Sequence, residues 1–384
     1  MKTSRRAIMF LAIISMYALI VIYIGAHLLL WVRQWVPAVP TAGFWLLYTL
    51  AAVGYFMAYI PWMKNVYPIK QGLKWLGAYY FALLEFAIAL LLIADLIYVI
   101  LAQFPVDMTY YIKVAGFVVT FVLMSIIVWG SRNAWSTVTR QYPIAIDKQA
   151  DDLPKLKIAV VSDIHLGDIV GKRHLQRMVD SINLCKPDLV LMVGDVLDDR
   201  IEPFIRQRMD QQLQGLEAKY GVFAVLGNHE YYGGTIATYV EMMDKVGIRV
   251  LQDEVIEVAG CYLVGRKDKA AETMDAEGRR TIDSLVTGLN SGKPIIVMDH
   301  QPFRLDQASD AGVDVLLCGH THRGQFMPNH FVTQRMYELD WGYKRKEQMH
   351  TVVTSGYGVW GPPIRLGSRS EIVELEVTFS HDNC

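Results

Sequence analysis

Cysteine is scarce in this chain, four in 384 residues, and Cys185, Cys261, Cys318 and Cys384 are widely separated. No pair has C-x-x-C spacing and no disulfide framework can be read, which excludes a disulfide-stapled secreted fold and a cysteine-based zinc or redox site. A basic stripe is missing as well. Lys and Arg number 37 against 38 Asp and Glu, for a formal net charge of −1, and neither half of the chain carries the long Lys/Arg run that phosphate-backbone binding uses, so no nucleic-acid partner is expected. From Ala7 to about Gly130 charge itself is sparse, and apolar and aromatic residues dominate. Beyond Asp151 the mixture is that of an ordinary soluble domain. The near-zero charge therefore averages two unlike units, expected at residues 1–150 and 151–384.

Spanning a bilayer core takes about 20 apolar residues as helix. Four stretches are read as spans: Ala7 to Val32, Thr41 to Trp62, Trp75 to Leu101 and Ile112 to Trp129. The first follows a basic MKTSRR start, but its apolar run is too long for a signal-peptide core and no clear small-residue cleavage site follows, so an uncleaved helix is expected. Lys2, Arg5, Arg6, Lys64, Lys70, Lys74, Arg132 and Arg140 fall on one side of this arrangement, with only Arg33 and Lys113 on the other. That bias predicts a multi-pass protein of the plasma or inner membrane, with both termini and the second unit on the cytoplasmic side. Glu85 and Asp95 are the only carboxylates well inside a predicted span, and an intramembrane ionisable group is a functional candidate because burying its charge is costly.

From Lys157 the pattern becomes short apolar runs that each end in a polar, metal-capable residue: KIAVVSD, DLVLMVGD, GVFAVLGN, PIIVMDH and VDVLLCGH. Such runs predict strands covered on both faces, with the site at their C-terminal ends. Helices are expected near His174–Leu184, Pro203–Lys219, Thr235–Val246 and Arg279–Leu289, giving a layered α/β architecture. CYLVG, HTVVTS and EIVELEVTF read as strands of a second sheet, and Arg323–Met349 as a long loop over or beside the site.

Half of the ten histidines sit in SDIHLG, LGNHE, MDHQP and CGHTH, with VGDVLD between the first two of these motifs. Each motif alone is weak, because Asp-x-His or Gly-Asp is commonly turn chemistry. Together they supply Asp163, His165, Asp195, Asn228, His300, His320 and His322, a set of carboxylate, imidazole and amide donors suited to two divalent ions. Asp163 and His165, two apart at a strand end, project to the same side, and Asp195 is the natural bridge. Manganese, iron and zinc suit these donors about equally well.

The ordered set D-x-H, G-D-x-x-D, G-N-H-E, H-x-P and G-H-T-H resembles the calcineurin-like metallophosphoesterase superfamily over Lys157 to Phe379. The resemblance implies a four-layer α/β/β/α sandwich, one metal on Asp163, His165, Asp195 and His322, and a second on Asp195, Asn228, His300 and His320. It also implies that His229 is a general acid rather than a ligand, with Asp198 in a supporting role. The end of the chain, SGYGVWGPPIRLGSRSEIVELEV, is similar to the membrane-associated phosphoesterase subgroup. Arg323 departs from that pattern, which has Gly there. An Arg can grip phosphate bidentately, so Arg323 and Arg365 are candidate substrate contacts.

The expected activity is hydrolysis of a phosphodiester or pyrophosphate, by water deprotonated between two ions that also polarise the phosphoryl oxygens, with His229 protonating the leaving group. Confinement to a bilayer points to lipid-linked phosphoesters, while short-chain diesters and cyclic nucleotides stay open. The alternative is a membrane sensor or transporter-like module whose second unit is a regulatory, phosphoesterase-like metal-binding domain.

Overall fold

The computed structural model describes residues 2–380, so Cys384 lies outside the described residues. The chain divides into two compact units, Met1–Trp129 and Gly130–Cys384.

The first unit is helical: α1 (Lys2–Arg33), α2 (Thr41–Met57), α3 (Tyr67–Leu101) and α4 (Met108–Trp135), the last running on into the second unit. Among the described residues three segments are long and apolar enough to cross a membrane, Ala7–Arg33, Tyr67–Leu101 and Met108–Trp135. The expected fourth span is shorter than read. At 17 residues α2 falls below the roughly 20 that a bilayer core requires, because the chain leaves the α-helix after Met57 and Pro61 opens a separate 3-10 turn, Pro61–Asn65. Ile8, Leu19, Leu96, Phe117 and Phe121 stand exposed on these helices, the all-round apolar surface of helices whose solvent is lipid. Inside the bundle the Tyr48 hydroxyl donates to the Val21 carbonyl at 3.0 Å and meets that of Tyr80 at 2.8 Å. Asp95 accepts from the Tyr23 hydroxyl at 2.6 Å and lies 2.9 Å from His27 Nε2. Asp95 and His27 border a cavity of about 570 Å³ otherwise lined mainly by Leu, Ile, Ala and aromatic side chains.

The second unit begins at Gly130 rather than at Asp151. The reason is β1 (Val138–Ile146), which pairs in parallel with β12 (Glu371–Phe379) along its whole length. The first sheet continues through β2 (Lys155–Val161), β3 (Leu189–Val193), β4 (Val222–Val225) and β5 (Ile248–Leu251), in the order β1-β12-β2-β3-β4-β5. The second contains β6 (Glu254–Val258), β7 (Cys261–Gly265), β8 (Ile295–Met298), β9 (Val315–Cys318), β10 (Gly342–Lys346) and β11 (Met349–Val353), in the order β10-β11-β9-β8-β7-β6. Ile158, Leu191, Leu375 and Val377 of the first sheet share one buried core with Leu263, Met298, Leu317 and Val352 of the second. The other face of the second sheet packs Ile282, Leu285 and Leu305 from short helices.

Several sequence expectations change here. EIVELEVTF is not in the second sheet; it lies antiparallel against β2 in the first, and the runs ending in His300 and His320 are the ones that join CYLVG and HTVVTS in the second. Arg323–Met349 is not a structureless loop, since it folds a helix, His330–Met336, and the edge strand β10. The exposed and half-buried alternation of GYKRK is that of an edge strand kept polar against further pairing. Helix α5 (Lys172–Leu184) forms as read, with Leu175, Met178, Val179 and Ile182 on its buried face. Pro203–Lys219 breaks into Glu202–Arg206 and Met209–Leu213 around Arg208, whose φ of +52° interrupts helical geometry. The two later helices are shorter than read, Ile236–Lys245 and Ile282–Val286.

Candidate metal centre

Each candidate ligand sits just past the C-terminal end of a buried strand. Asp163 and His165 follow β2, Asp195 follows β3, Asn228 follows β4, His300 follows β8, and His320 and His322 follow β9. Parallel strands of both sheets thus deliver their polar ends to one place, as open α/β sheets commonly do. The loops are laced together by backbone bonds: Asp163 N donates to Gly194 O at 3.0 Å and His165 N to Asp195 O at 3.1 Å. Asp163, His165, Asp195, His320 and His322 all adopt left-handed backbone, with φ between 48° and 70°. A non-glycine residue held there is strained by an amount that surrounding structure must offset, and such residues cluster at functional sites.

Two glycines of the motifs are required by close approach. A Cβ on Gly227 would stand 2.1 Å from Asp195 Oδ1, and one on Gly319 would stand 2.3 Å from Asp163 Oδ2. The residue before one ligand therefore makes room for another, which explains why Gly belongs in both G-N-H and G-H-T-H.

The donor atoms gather into groups within 4.8 Å of one another: Asp163, His165 and His322; Asp195, His300 and His320; and His165, Asp195 and His229. His165 Nε2 lies 3.0 Å from His322 Nε2, which is 3.4 Å from Asp163 Oδ1. His300 Nε2 is 3.1 Å from Asp195 Oδ2, yet without the geometry of a hydrogen bond. His300 Nδ1 donates to the Val193 carbonyl at 2.8 Å, which fixes the tautomer and leaves Nε2 with a lone pair facing the cluster. Buried polar atoms are nearly always hydrogen-bonded. Here the His300 Nε2 and Asn228 Oδ1 atoms are buried and have no partner. Orphaned donor atoms crowded around shared carboxylates are what a divalent cation needs, so the residues fit the ion that their types imply.

Burial raises the Asp163 carboxyl to about 6, and it also draws His165 down to about 3 and His320 to about 4, keeping those imidazoles neutral and able to donate a lone pair. Burial works against ionisation of Asp195 too, but its close approach to His300 and the positive His229 hold that carboxyl below its usual range. Against the effect of burial, the same contact raises the pKa of His300, a shift that a bound cation would oppose because a ligating imidazole must be unprotonated.

His229 is set apart from the ligands. Its Nδ1 lies 2.6 Å from Asp199 Oδ1, and its backbone N–H donates to Asp195 Oδ1 at 2.9 Å. Burial lowers its pKa, but the Asp199 hydrogen bond and the nearby Asp195 charge more than offset this and raise it to about 9. The Tyr232 and Trp360 rings stand 5.7 and 6.1 Å from its own.

The structure adds residues that the motifs did not single out. Glu230 accepts from the backbone N–H groups of Asp195, Leu197 and Gly227 at 3.1, 2.8 and 2.7 Å, binding the second and third motifs together. Asp199, the neighbour of the Asp198 that ends G-D-x-x-D, is the carboxylate that meets His229, and nothing in the motif pointed to it. Arg365 is not placed to touch substrate. It is fully buried, with Nε and Nη2 donating to Gly358 O at 3.1 and 2.6 Å, Nη2 to Gly356 O at 3.2 Å and Nη1 to Ser368 Oγ at 3.2 Å. Its Nη2 also lies 3.3 Å from His322 Nδ1. Arg323 is half-buried, stacked 3.9 Å over the Trp341 ring with Nη1 donating to Gly367 O at 2.6 Å.

A two-sheet α/β unit with Asp and His side chains gathered at its strand ends defines the class as a metal-binding phosphoesterase fold. Residues 156–324 match the family model described as calcineurin-like phosphoesterase. A transmembrane protein with metallophosphoesterase domain from Danio rerio is 31% identical over 243 residues, covering 60% of this chain and 55% of that protein. An uncharacterized metallophosphoesterase from Helicobacter pylori is 32% identical over 240 residues, covering 62% and 63%, and one from Aquifex aeolicus is 30% identical over 241 residues, covering 60% and 88%. Matching thus spans little more than half of the first of these relatives. Among solved structures, a dimetal phosphatase from Danio rerio aligns at 12% identity with a TM-score of 0.33, covering 59% of this chain and 99% of that one. The chain belongs to the calcineurin-like phosphoesterase family.

Proposed function

We propose that this protein is a membrane-anchored phosphoesterase that hydrolyses phosphodiester or pyrophosphate bonds, including lipid-linked ones, with the second unit at the cytoplasmic face. The observation that carries this reading is the convergence of imidazoles and shared carboxylates beside a histidine that makes its own contact with Asp199. Asp163, His165, Asp195 and His322 would hold one divalent ion, and Asp195, Asn228, His300 and His320 a second, of manganese, iron or zinc. Bound there, the ions would supply Lewis acidity toward the phosphoryl oxygens and acidify water. The chain's own contribution is positional. Val193 O orients His300, the carboxylate of Glu230 fixes the Asp195 loop, and Arg365 braces the loop of His322. His229 carries a proton on the side chain that Asp199 orients, and delivers it to the departing oxygen. Phosphodiester turnover by the intact protein that requires added metal and disappears in Asp195→Asn tests the reading. Folded, metal-loaded protein without turnover on any phosphoester contradicts it.

The cavity in the first unit favours a second reading, in which the helices sense a ligand. His27 and Asp95 give that otherwise apolar space one polar end, and intramembrane ionisable groups commonly mark functional sites. Under this reading Asp95→Asn changes the turnover of the intact protein without changing its metal content, and unchanged turnover removes the reading.

A further inference from the structure

We propose that Met327–Met336, together with Trp360, forms a lipid-docking surface from which a bilayer-borne phosphoester enters the metal centre; this rests on the phosphoesterase reading and names its substrate class as membrane amphiphiles. Met327, Phe331, Val332 and Met336 are 48%, 62%, 57% and 60% exposed, and Trp360 is 57% exposed. The helix His330–Met336 buries none of its residues. Large apolar side chains gathered on a short, otherwise polar segment are unusual on a surface bathed only by water, and mark contact with lipid or protein.

Three observations select lipid. The segment is tied to the end of an apolar helix: Met327 N donates to Leu366 O at 3.0 Å, Arg365 N donates to Gly130 O at 2.9 Å, and Asn133 Nδ2 donates to Arg365 O at 3.1 Å. Gly130 and Asn133 lie in the last turns of α4, one of the three segments able to cross a membrane. Charge is complementary to anionic headgroups as well, since Arg323 and Arg335 lie in this stretch and no Asp or Glu occurs from Arg323 through Tyr337. Finally, the surface leads to the chemistry. Gln325 holds the Trp360 backbone through its N–H at 2.9 Å and its carbonyl at 3.1 Å, and the Trp360 ring stands 6.1 Å from that of His229. Apolar residues dipping into the interface beside basic ones are the usual anatomy of a peripheral lipid contact.

The test uses the full chain with manganese in nanodiscs of phosphatidylglycerol and phosphatidylcholine, and two esters of identical chemistry, p-nitrophenyl hexadecyl phosphate and p-nitrophenyl methyl phosphate. The double variant Phe331→Ser with Met336→Ser should lower kcat/KM for the hexadecyl ester by about tenfold or more and leave the methyl ester within about twofold, as expected if only the buried chain has lost its contacts. Equal losses on both esters, or none on either, overturn the docking surface. A second readout does not depend on hydrolysis: phosphatidylglycerol with a diazirine-bearing tail should label the peptide containing Phe331. Labelling confined to the helices of the first unit overturns the proposal. If neither ester is cleaved but Phe331 is labelled, the phosphoesterase reading fails and the lipid surface stands.

Discussion

Asp199 Oδ1 and His229 Nδ1 lie 2.6 Å apart, and the carboxylate is half-open to solvent while the imidazole is nearly covered. A carboxylate that grips one ring nitrogen leaves the other aimed into the centre and favours the protonated ring there. If His229 protonates the leaving oxygen, its loss should matter in proportion to the need for that proton. His229→Ala is expected to slow cleavage of an alkyl phosphodiester by about two to four orders of magnitude, and to slow release of nitrophenolate, which departs without a proton, far less. Asp199→Asn should fall between wild type and His229→Ala on the alkyl ester. Steady-state rates on the two leaving groups decide this, and equal losses on both argue for a merely structural histidine.

Gly227 admits no side chain, because a Cβ there would reach to 2.1 Å of Asp195 Oδ1. Gly227→Ala should displace the carboxylate proposed to bridge the ions and weaken metal affinity by about tenfold to a hundredfold. Elemental analysis after dialysis at limiting manganese, with circular dichroism to confirm the fold, reads the effect. Full metal content in the variant removes Asp195 from its proposed position.

Arg365 gives a prediction that separates a brace from a substrate contact. Arg365→Met strips hydrogen bonds from the buried Gly356 and Gly358 carbonyls, at about 1–3 kcal/mol for each left unsatisfied. The melting temperature should fall while KM for a soluble diester stays near the wild-type value. A raised KM with unchanged melting would restore the substrate role.

His174 supplies a pH dependence away from the candidate ligands. Burial draws its pKa down to about 4, while its Nδ1 has no partner and its ring stacks 4.3 Å from that of Tyr357. The unfolded chain takes up this proton near pH 6.5 and the folded one only near 4, so the contribution is complete above about 6.5 and is lost as pH falls toward 4, by about 3 kcal/mol in all. His174→Phe keeps a stacked ring without the titration. Its apparent melting temperature should decline less than that of wild type between pH 7 and 4.5, and parallel declines would show that His174 does not titrate in this window.

The candidate ligands were legible because each is local information: a buried apolar run followed at once by Asp, Asn or His. Pairing between distant strands is not local. VTRQYPIAI falls inside the expected first unit, residues 1–150, and only its pairing with the distant β12 places it in the second; its Pro143 is tolerated because β1 lies at the edge of its sheet. EIVELEVTF has the same strand pattern whichever sheet it joins, and only its register with β2 decides. The burial of Arg365 was equally hidden, since its acceptors are mainly backbone carbonyls, which leave no trace in side-chain identity.

The most direct measurement is metal content together with hydrolysis of bis(p-nitrophenyl) phosphate by the full-length protein, before and after chelation and manganese reloading, beside Asp195→Asn. A dinuclear phosphoesterase should hold about two ions per chain and regain turnover with them, and Asp195→Asn should lose both. Turnover that survives chelation, or an Asp195→Asn variant that keeps its metal and its rate, would contradict the proposed centre.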